Sequence, residues 1–337
     1  MKIKLLISFT VLFLSGLKTI AQVVQTNAFA YQQNAKMGRG VNVIGYDPLW
    51  QDSSKARMKA KHFKAIKDAG FGNVRLVIMP FKFSMKDSAF TIKPSFFTTL
   101  DWAVNEALKN KLMPIIDFHE HNAMQKNPLG TMPMLVAMWQ QIAEHYKYFP
   151  SDVLFEIANE PNMKPEIWNQ IHSEAYKVIR ASNPNRTLLI GTINGNQIKH
   201  LPDLELPEND RNIIIAVHYY SPIQFTHQGA PWSVKNKDLS GIHWTESDSA
   251  KQAVNADFDF AQQWSITHNR PITLGEFGAY EKADMASRVI WTNYVARQAE
   301  ARKWSWSYWQ FDRDFVLYDL DKDDWIIPIK NALIPKK

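Results

Sequence analysis

Two glutamates of this sequence follow short apolar runs, and their neighbours suit acid–base chemistry. Glu160 comes after the apolar residues 153–157, with Asn159 before it and Pro161 after it, and Glu276 follows a second apolar run. Because proline disfavours helical dihedrals in the residue before it, Pro161 predicts an extended Glu160 at the exit of a strand. A carboxylate there, next to an amide that can bind a substrate, suits general acid–base catalysis. A surface Asn-Glu-Pro turn is the alternative.

Apolar runs and amphipathic helical segments alternate from about Met37 onward. Eight runs are short and continuously apolar, as buried parallel strands are. They are Val41–Gly45, Asn73–Ile78, Leu112–Phe118, Val153–Ile157, Thr187–Gly191, Ile213–Tyr219, Ile272–Leu274 and Trp304–Trp309. The main helices are expected at Ser53–Ala69, Ser95–Asn110, Pro133–Tyr148, Pro165–Ala181, Ala250–Asn269, Ala283–Arg302 and Pro328–Leu333.

Strands that alternate with helices predict an α/β protein with a parallel sheet, and eight such units predict a single (β/α)8 TIM barrel. A doubly wound open sheet is the competing fold. That fold normally carries a glycine-rich phosphate turn after its first strand, and the segment Gly45–Pro48 is not such a turn.

The first 21 residues have the pattern of a secretory signal peptide. Lys2 and Lys4 form a basic start, the run Leu5–Leu17 is apolar, and the small residues of Thr19–Ala21 suit cleavage. The apolar run is too short for a transmembrane anchor. We therefore expect a signal peptide at residues 1–21, a linker at 22–36 and one catalytic barrel at 37–337. The protein would be exported to a periplasm or out of the cell, without a membrane anchor.

Composition narrows the function classes of this 337-residue chain, which is 45% hydrophobic. Without the signal peptide the formal net charge falls from +6 to +3, because three lysines and no acids are removed. We expect no nucleic-acid partner, since no Lys/Arg-rich run or known motif occurs, and we expect a monomer. The absence of cysteine excludes disulfides and thiolate chemistry. Most of the twelve tryptophans and eleven tyrosines are expected in the core, but an excess of tryptophan is also typical of carbohydrate sites.

In a TIM barrel the catalytic residues lie at the C-terminal ends of the strands. Two carboxylates on opposite sides of one barrel mouth, surrounded by polar and aromatic groups, meet the needs of glycoside hydrolysis. The residues at or near the predicted strand ends are Arg75, His119, Glu120, His121, Asn159, Glu160, His218, Tyr220, Glu276 and Trp309.

These residues belong to segments that resemble glycoside hydrolase family 5 of clan A, in its cellulase-type branch of endoglucanases with some mannanase activity. Asn-Glu-Pro together with Gly-Glu-Phe-Gly is a specific combination, although either motif alone is weak. The matching segments are Asn73–Leu76, Ile116–His119, Phe155–Pro161, His218–Tyr220, Phe225–Ala230, Gly275–Tyr280 and Trp304–Trp309.

The resemblance implies a retaining, double-displacement mechanism without a metal or other cofactor. Glu160 matches the acid/base of the family and Glu276 its nucleophile. The resemblance also implies roles for the neighbouring residues: Arg75 and Tyr220 contact the nucleophile, and Asn159 binds the sugar 2-hydroxyl. His119 and His218 line the site, with His218 near the acid/base, and Trp309 forms the platform under the sugar. Further cleft residues would be His227, Trp232 and, facing the sugar, Asn42.

One departure from the branch concerns strand 3, where a His-His pair is replaced by His119-Glu120-His121. Either His121 takes the place of the second histidine, or Glu120 adds a third carboxylate to the cleft. Trp50 in the first loop also differs, and two readings are open for it: a stacking surface for a distal sugar, or a lid over the first helix.

The expected substrate is a β-glucan with internal β-1,4 bonds. Mannan or glucomannan is the nearest rival, and xylan is more remote. A metal-dependent barrel hydrolase using His119, His121, His218 and Asp312 would leave both glutamates without a role. A non-catalytic sugar-binding barrel is the other alternative. Such a protein would normally lack one of the two carboxylates, and this sequence has both.

Overall fold

A closed barrel of eight parallel strands forms the centre of the molecule, for which a computed structural model describes residues 29–335. Each strand pairs with the next along the chain, and the eighth pairs with the first. The strands are β1 (Arg39–Val43), β2 (Asn73–Ile78), β3 (Met113–Phe118), β4 (Leu154–Glu156), β5 (Leu188–Gly191), β6 (Ile213–Tyr219), β7 (Ile272–Phe277) and β8 (Ser305–Tyr308). The prediction of a (β/α)8 barrel is confirmed.

Helices cover the outside of the barrel. They are α1 (residues 29–37), α2 (Ala60–Asp68), α3 (Pro94–Lys109), α4 (His121–Lys126), α5 (Pro128–Tyr146), α6 (Pro165–Ser182), α7 (Ile223–Thr226), α8 (Asp248–His268), α9 (Met285–Ala301) and α10 (Ile327–Leu333). A short hairpin of Tyr318–Asp319 and Asp324–Trp325 lies after β8. None of the described helices is long and apolar enough to cross a membrane.

The helix predicted at Ser53–Ala69 is shorter than expected. Only a 3-10 turn forms at Ser53–Lys55, and α2 begins at Ala60. The cause is Asp47, whose carboxylate accepts hydrogen bonds from the backbone N–H groups of Arg57 and Met58 at 3.2 and 2.7 Å. These contacts hold the intervening backbone out of the helical conformation.

Helix α1 closes the N-terminal end of the barrel. Ala30 and Met37 are fully buried against apolar residues inside the lower barrel, such as Ile115. Asn34 donates to the backbone carbonyl of Ile272 at 3.1 Å and accepts from the Ser305 hydroxyl at 2.7 Å. The predicted linker at 22–36 is therefore folded onto the barrel from residue 29 onward. The predicted signal peptide lies outside the described residues.

Above that apolar layer, the interior of the barrel is polar. Asn42, Arg75, Asp117 and Glu156 are all fully buried, and the strand register pairs Asn42 with Arg75 and Asp117 with Glu156. Since side chains alternate between the two faces of a strand, their apolar neighbours face the surrounding helices. This polar layer lies directly beneath the C-terminal mouth of the barrel.

Aromatic residues of β8 fill the space between the barrel and its helices. Trp306 and Tyr308 are fully buried, and both contact Phe277 edge-on. Trp50 stacks on Phe96 with ring centroids 5.4 Å apart, and its indole N–H donates to a backbone carbonyl. Trp50 was expected either to stack on a distal sugar or to cover the first helix. These contacts support a packing role against the helices.

Candidate active site

Glu276 lies at the C-terminal end of β7 with both carboxylate oxygens engaged. Oε1 accepts from Nη1 of Arg75 at 2.7 Å, and Oε2 accepts from the hydroxyl of Tyr220 at 2.9 Å. Nδ1 of His218, on the neighbouring strand, is 3.6 Å from Oε2. The carboxylate is 4% exposed and is held in one orientation from both sides.

Opposing effects act on the charge of Glu276. Burial raises the pKa of this carboxyl above its usual value, and the nearby His218 and Arg75 offset part of the rise. The fully buried Arg75 has a pKa well above its usual value because of Asp117, Glu156 and Glu276, so it stays charged. A permanent guanidinium donating directly to Glu276 stabilises the carboxylate form that a nucleophile requires.

Glu160 lies across the mouth, beyond the end of β4. Its side chain is 28% exposed, and Oε1 is 2.8 Å from Nδ1 of His218. The backbone φ is +44°, so the extended conformation expected from Pro161 is wrong. The proline does exclude the right-handed helical region, but the chain turns through the left-handed region, which costs of order 1 kcal/mol. This turn directs the carboxyl group towards His218 and Glu276.

The two carboxylates are close together. One oxygen of Glu160, one oxygen of Glu276 and a ring nitrogen of His218 all lie within 4.8 Å of one another. Inverting glycosidases hold their two carboxyl groups about 6.5–9.5 Å apart to admit a water, and retaining enzymes about 5–5.5 Å apart. The distance of at most 4.8 Å between the two oxygens is closer to the spacing of retaining enzymes than to that of inverting ones.

Arg75 connects the mouth to the polar layer below it. Nε and Nη2 donate to Glu156 at 2.6 and 2.9 Å, and Nη2 is 3.0 Å from Asp117. The same guanidinium donates to the side-chain oxygens of Asn159 and Asn42, both at 2.8 Å. Arg75 therefore has carboxylate partners both at the mouth and beneath it, and Glu156 pairs with this base inside the barrel.

The orientations of Asn159 and His119 follow from Arg75. Because a guanidinium only donates, Oδ1 of Asn159 must face it, and the amide N–H₂ then points at Nε2 of His119, 3.3 Å away. Nδ1 of His119 lies 2.8 Å from Asp117 and donates to it. Burial lowers the pKa of His119 to about 4, so the ring is neutral in this chain of contacts.

Asp117 was not among the predicted site residues. It is fully buried between Arg75 and His119, and burial raises its pKa to about 7. An aspartate within an otherwise apolar strand, two residues before a histidine on the same face, is a signal that could have identified it.

Aromatic rings form one wall of the mouth. Trp309, at the end of β8, stacks on His119 with ring planes 8° apart and meets Tyr46 edge-on. Tyr46 is 45% exposed at this edge of the mouth. Tyr46 was not predicted as a site residue, since loop aromatics carry no periodic signal.

A second aromatic group lies on the Tyr220 side. His227 contacts the ring of Tyr220 edge-on at 5.0 Å, and burial lowers the pKa of His227 to about 4. Trp232 is half-exposed and rests edge-on against Tyr280. His227 and Trp232 both also contact the ring of Phe315, so the two side chains lie together on the Tyr220 side of Glu276.

Asn42 does not face the cleft. The side chain is fully buried, and its amide donates to the backbone carbonyls of Gly275, Ser307 and Tyr308. Its oxygen accepts from Arg75. The expected contact with a sugar is thus replaced by a contact that positions Arg75.

The position of Glu120 distinguishes the two alternatives for the segment after β3, which are a shifted second histidine and a third carboxylate in the cleft. Its carboxylate accepts from the backbone N–H of Phe81 at 2.8 Å, away from the mouth, and burial raises its pKa to about 7. His121 instead contacts the ring of His119 edge-on at 5.2 Å. The arrangement matches a shifted second histidine rather than a third carboxylate in the cleft.

Replacing Glu120 with glutamine is therefore expected to leave kcat/KM on a soluble β-glucan within about threefold of wild type, because the amide oxygen can still accept from Phe81. Initial rates from pH 5 to pH 8 would measure this effect. A loss of tenfold or more would place Glu120 in the cleft.

The residues proposed for a metal-dependent hydrolase do not converge. Both ring nitrogens of His119 are engaged by Asp117 and Asn159, and Asp312 lines a separate cavity of about 290 Å³ beside Arg57. Within residues 29–335, the one cluster of potential ligands is Glu160, His218 and Glu276. That cluster is the carboxylate pair itself with the histidine between its members.

Comparisons with known proteins identify the family of this chain. A family model described as "Cellulase (glycosyl hydrolase family 5)" matches residues 33–314. Endoglucanase H of Acetivibrio thermocellus is 30% identical over 316 residues, which cover 90% of this chain and 33% of that protein. Endoglucanase 3 of Fibrobacter succinogenes is 24% identical, with 90% and 54% covered. The chain thus spans between one third and about half of these two relatives.

Solved structures of Thermotoga maritima Cel5A have the same fold. A complex with mannotriose has a TM-score of 0.86 at 36% identity, and a complex with cellobiose has a TM-score of 0.86 at 37% identity. Each covers 90% of this chain and 99% of the other. With the family match over most of its length and a barrel that aligns with these structures, the chain belongs to glycosyl hydrolase family 5, the cellulase family of glycoside hydrolases.

Proposed function

We propose that this chain is a retaining endo-glycoside hydrolase that cleaves internal β-1,4 bonds of glucans, with Glu160 as acid/base and Glu276 as nucleophile. The observation that carries the proposal is the spacing within 4.8 Å of the Glu160, Glu276 and His218 atoms. A retaining mechanism needs a nucleophile close enough to bond the anomeric carbon while the acid reaches the leaving oxygen.

In the first step, an oxygen of Glu276 attacks the anomeric carbon as the bond to the leaving oxygen breaks. Glu160 gives its proton to that oxygen, and a glycosyl ester of Glu276 forms. In the second step, Glu160 takes a proton from water, the water oxygen bonds to the anomeric carbon, and the ester bond to Glu276 breaks. Two inversions leave the product in the configuration of the substrate.

The surrounding residues favour the charge changes of these steps. Arg75 and Tyr220 donate to Glu276 as an ionised carboxylate. Glu160 is more exposed than Glu276, which suits a group that must exchange a proton with water between the two steps. Asn159 is held by Arg75 beside the pair, where its amide can donate to the sugar 2-hydroxyl.

The substrate assignment is supported by the endoglucanase relatives. Mannan is the nearest alternative, because the structures related at 36–37% identity hold cellobiose and mannotriose. We also propose that the protein is exported to a periplasm or to the medium, on the basis of the signal-peptide pattern in residues 1–21.

A substrate panel tests the proposal, with carboxymethyl cellulose, barley glucan, lichenan, glucomannan, galactomannan and xylan. We expect the highest kcat/KM on the glucans and a first product in the β configuration by proton NMR. A faster reaction on galactomannan would assign the mannanase alternative, and an initial α product would contradict retention.

The role of Glu160 has its own test. Glu160→Ala is expected to lower kcat/KM on barley glucan by about 10²–10⁴-fold, the usual contribution of a general acid. The loss should be much smaller on an aryl cellobioside with a good leaving group, and azide should restore turnover with a β-glycosyl azide as product. Glu120→Gln is the matched control. Wild-type rates of Glu160→Ala on barley glucan would reject the role.

A further inference from the structure

A turn with a left-handed backbone lies beside His218 and also borders the carboxyl group of Glu160. Residues Asn194, Gly195 and Asn196 have φ values of 54°, 80° and 52°. Nδ2 of Asn196 is 3.1 Å from Nε2 of His218. The next residue, Gln197, forms a backbone bridge with His218, so the turn and the histidine are held in register.

Two glycines make room for this contact. A Cβ atom on Gly191 would lie 2.4 Å from Oδ1 of Asn196, and one on Gly275 would lie 3.0 Å from Nε2 of His218. Asn196 is fully buried, and its Oδ1 has no hydrogen-bond partner within the described part of the chain. An unpaired buried oxygen and a left-handed backbone both cost stability. Both features occur at Asn196, the residue whose amide contacts His218.

The protonation of His218 follows from its neighbours. Nδ1 faces Oε1 of Glu160 at 2.8 Å and Oε2 of Glu276 at 3.6 Å, and two carboxylates require a hydrogen on that nitrogen. The charged or titratable groups around the ring are Glu160 and Glu156 from the β4 side, Glu276 on β7, Arg75 on β2 and His119 after β3. Burial outweighs the acids and lowers the pKa of His218 to about 4.

We propose that Asn196 is a positioning residue whose amide N–H occupies Nε2 of His218, so that the ring stays neutral and donates from Nδ1 to Glu160. The inference rests on the proposed role of Glu160 as acid/base. With Oε1 of Glu160 accepting from His218, the proton for the leaving group is confined to Oε2. An imidazolium at 2.8 Å would instead favour ionised Glu160 and remove the acid.

Histidine-selective ¹⁵N NMR of the whole protein tests the proposal directly. The His218 signals are assigned by their loss in His218→Gln. In wild type we expect a hydrogen on Nδ1 and none on Nε2 from pH 5 to pH 8. In Asn196→Asp the new carboxylate accepts from Nε2, so both nitrogens should carry hydrogen at pH 6.5.

The same variant has a kinetic signature. An imidazolium beside Glu160 should move the alkaline limb of the kcat/KM profile on barley glucan to lower pH by about one unit or more. The rate on an aryl cellobioside with a good leaving group should change little. Asn194→Asp is the matched control, because Asn194 has the same backbone conformation but its side chain contacts His200. We expect it to leave both the profile and the His218 signals unchanged.

A hydrogen on Nε2 in wild type would overturn the proposal, as would a wild-type profile in Asn196→Asp or an equal shift in Asn194→Asp. If Asn196→Asp does not fold, Asn196→Gly removes the amide while tolerating the positive φ, and Nε2 should then gain a hydrogen at a higher pH than in wild type. Failure of the glycosidase mechanism would appear separately, as an active Glu160→Ala with the His218 signals as expected.

Discussion

Glu276→Ala is expected to lower kcat/KM on barley glucan by roughly 10⁴–10⁶-fold, because the variant cannot form the glycosyl ester on which both steps depend. The space left by the carboxylate admits a small anion beside Arg75 and Tyr220. With an aryl cellobioside, azide should therefore attack the anomeric carbon and give the α-glycosyl azide in a single inversion. Proton NMR of the azide product identifies the attacking face.

The control for this variant is Glu281→Ala, which removes an exposed acid in the loop that follows β7, five residues further along the chain. Its kcat/KM should stay within about threefold of wild type, as is usual for surface substitutions. A Glu276→Ala enzyme that keeps more than one hundredth of the wild-type rate, or that forms the β-glycosyl azide, would contradict the assignment of the nucleophile.

Arg75→Met should have the largest effect on stability. It removes the one cation that contacts Asp117, Glu156 and Glu276 in the interior. Leaving buried charges without a partner costs about 3–5 kcal/mol in the free energy of unfolding. Guanidinium unfolding followed by circular dichroism measures this loss.

The loss should depend on pH in a defined direction. Burial already raises the pKa of Asp117 to about 7, and without Arg75 the pKa values of all three carboxyls rise further. The folded variant then binds protons that the unfolded chain has released near pH 4. Its free energy of unfolding therefore falls as the pH rises from about 4 to 7, more steeply than in wild type.

Arg186→Met provides the comparison, because Arg186 is buried but donates to backbone carbonyls, such as those of Tyr146 and Pro150. It should lose stability without gaining the pH dependence, and the folded fraction should keep its kcat. Equal pH slopes for the two variants would show that the carboxylates beneath the mouth do not depend on Arg75.

The barrel and its two glutamates were predictable because both leave local signals. Each strand is a short apolar run, and Glu160 and Glu276 interrupt the pattern where two such runs end. Strand ends shifted by a few residues, since pairing with neighbours rather than hydropathy decides the last residue of a strand. Helix α1 was missed because its buried face is formed by a few small or polar residues, among them Ala30 and Asn34.

The supporting residues were harder to predict because their roles depend on contacts between distant segments. Asn42 lies 33 residues from Arg75, and its orientation is set by carbonyls of β7 and β8. Asn196 lies in a turn without a motif, and only the fold brings it to His218. The left-handed backbone of Glu160 likewise depends on its surroundings rather than on Pro161 alone.

Three carboxyl groups, those of Asp117 and Glu156 beneath the mouth and of Glu276 at it, contact one guanidinium, that of Arg75. When all three are ionised they outnumber this cation, and the negative electrostatic potential that results would attract the positive charge that a sugar ring acquires on the way to products. Iminosugars, whose ring nitrogen is protonated, should for the same reason be favoured as inhibitors. Uronic acids carry the opposite charge, so polymers with glucuronate at the cleaved residue should be excluded by electrostatic repulsion rather than by shape.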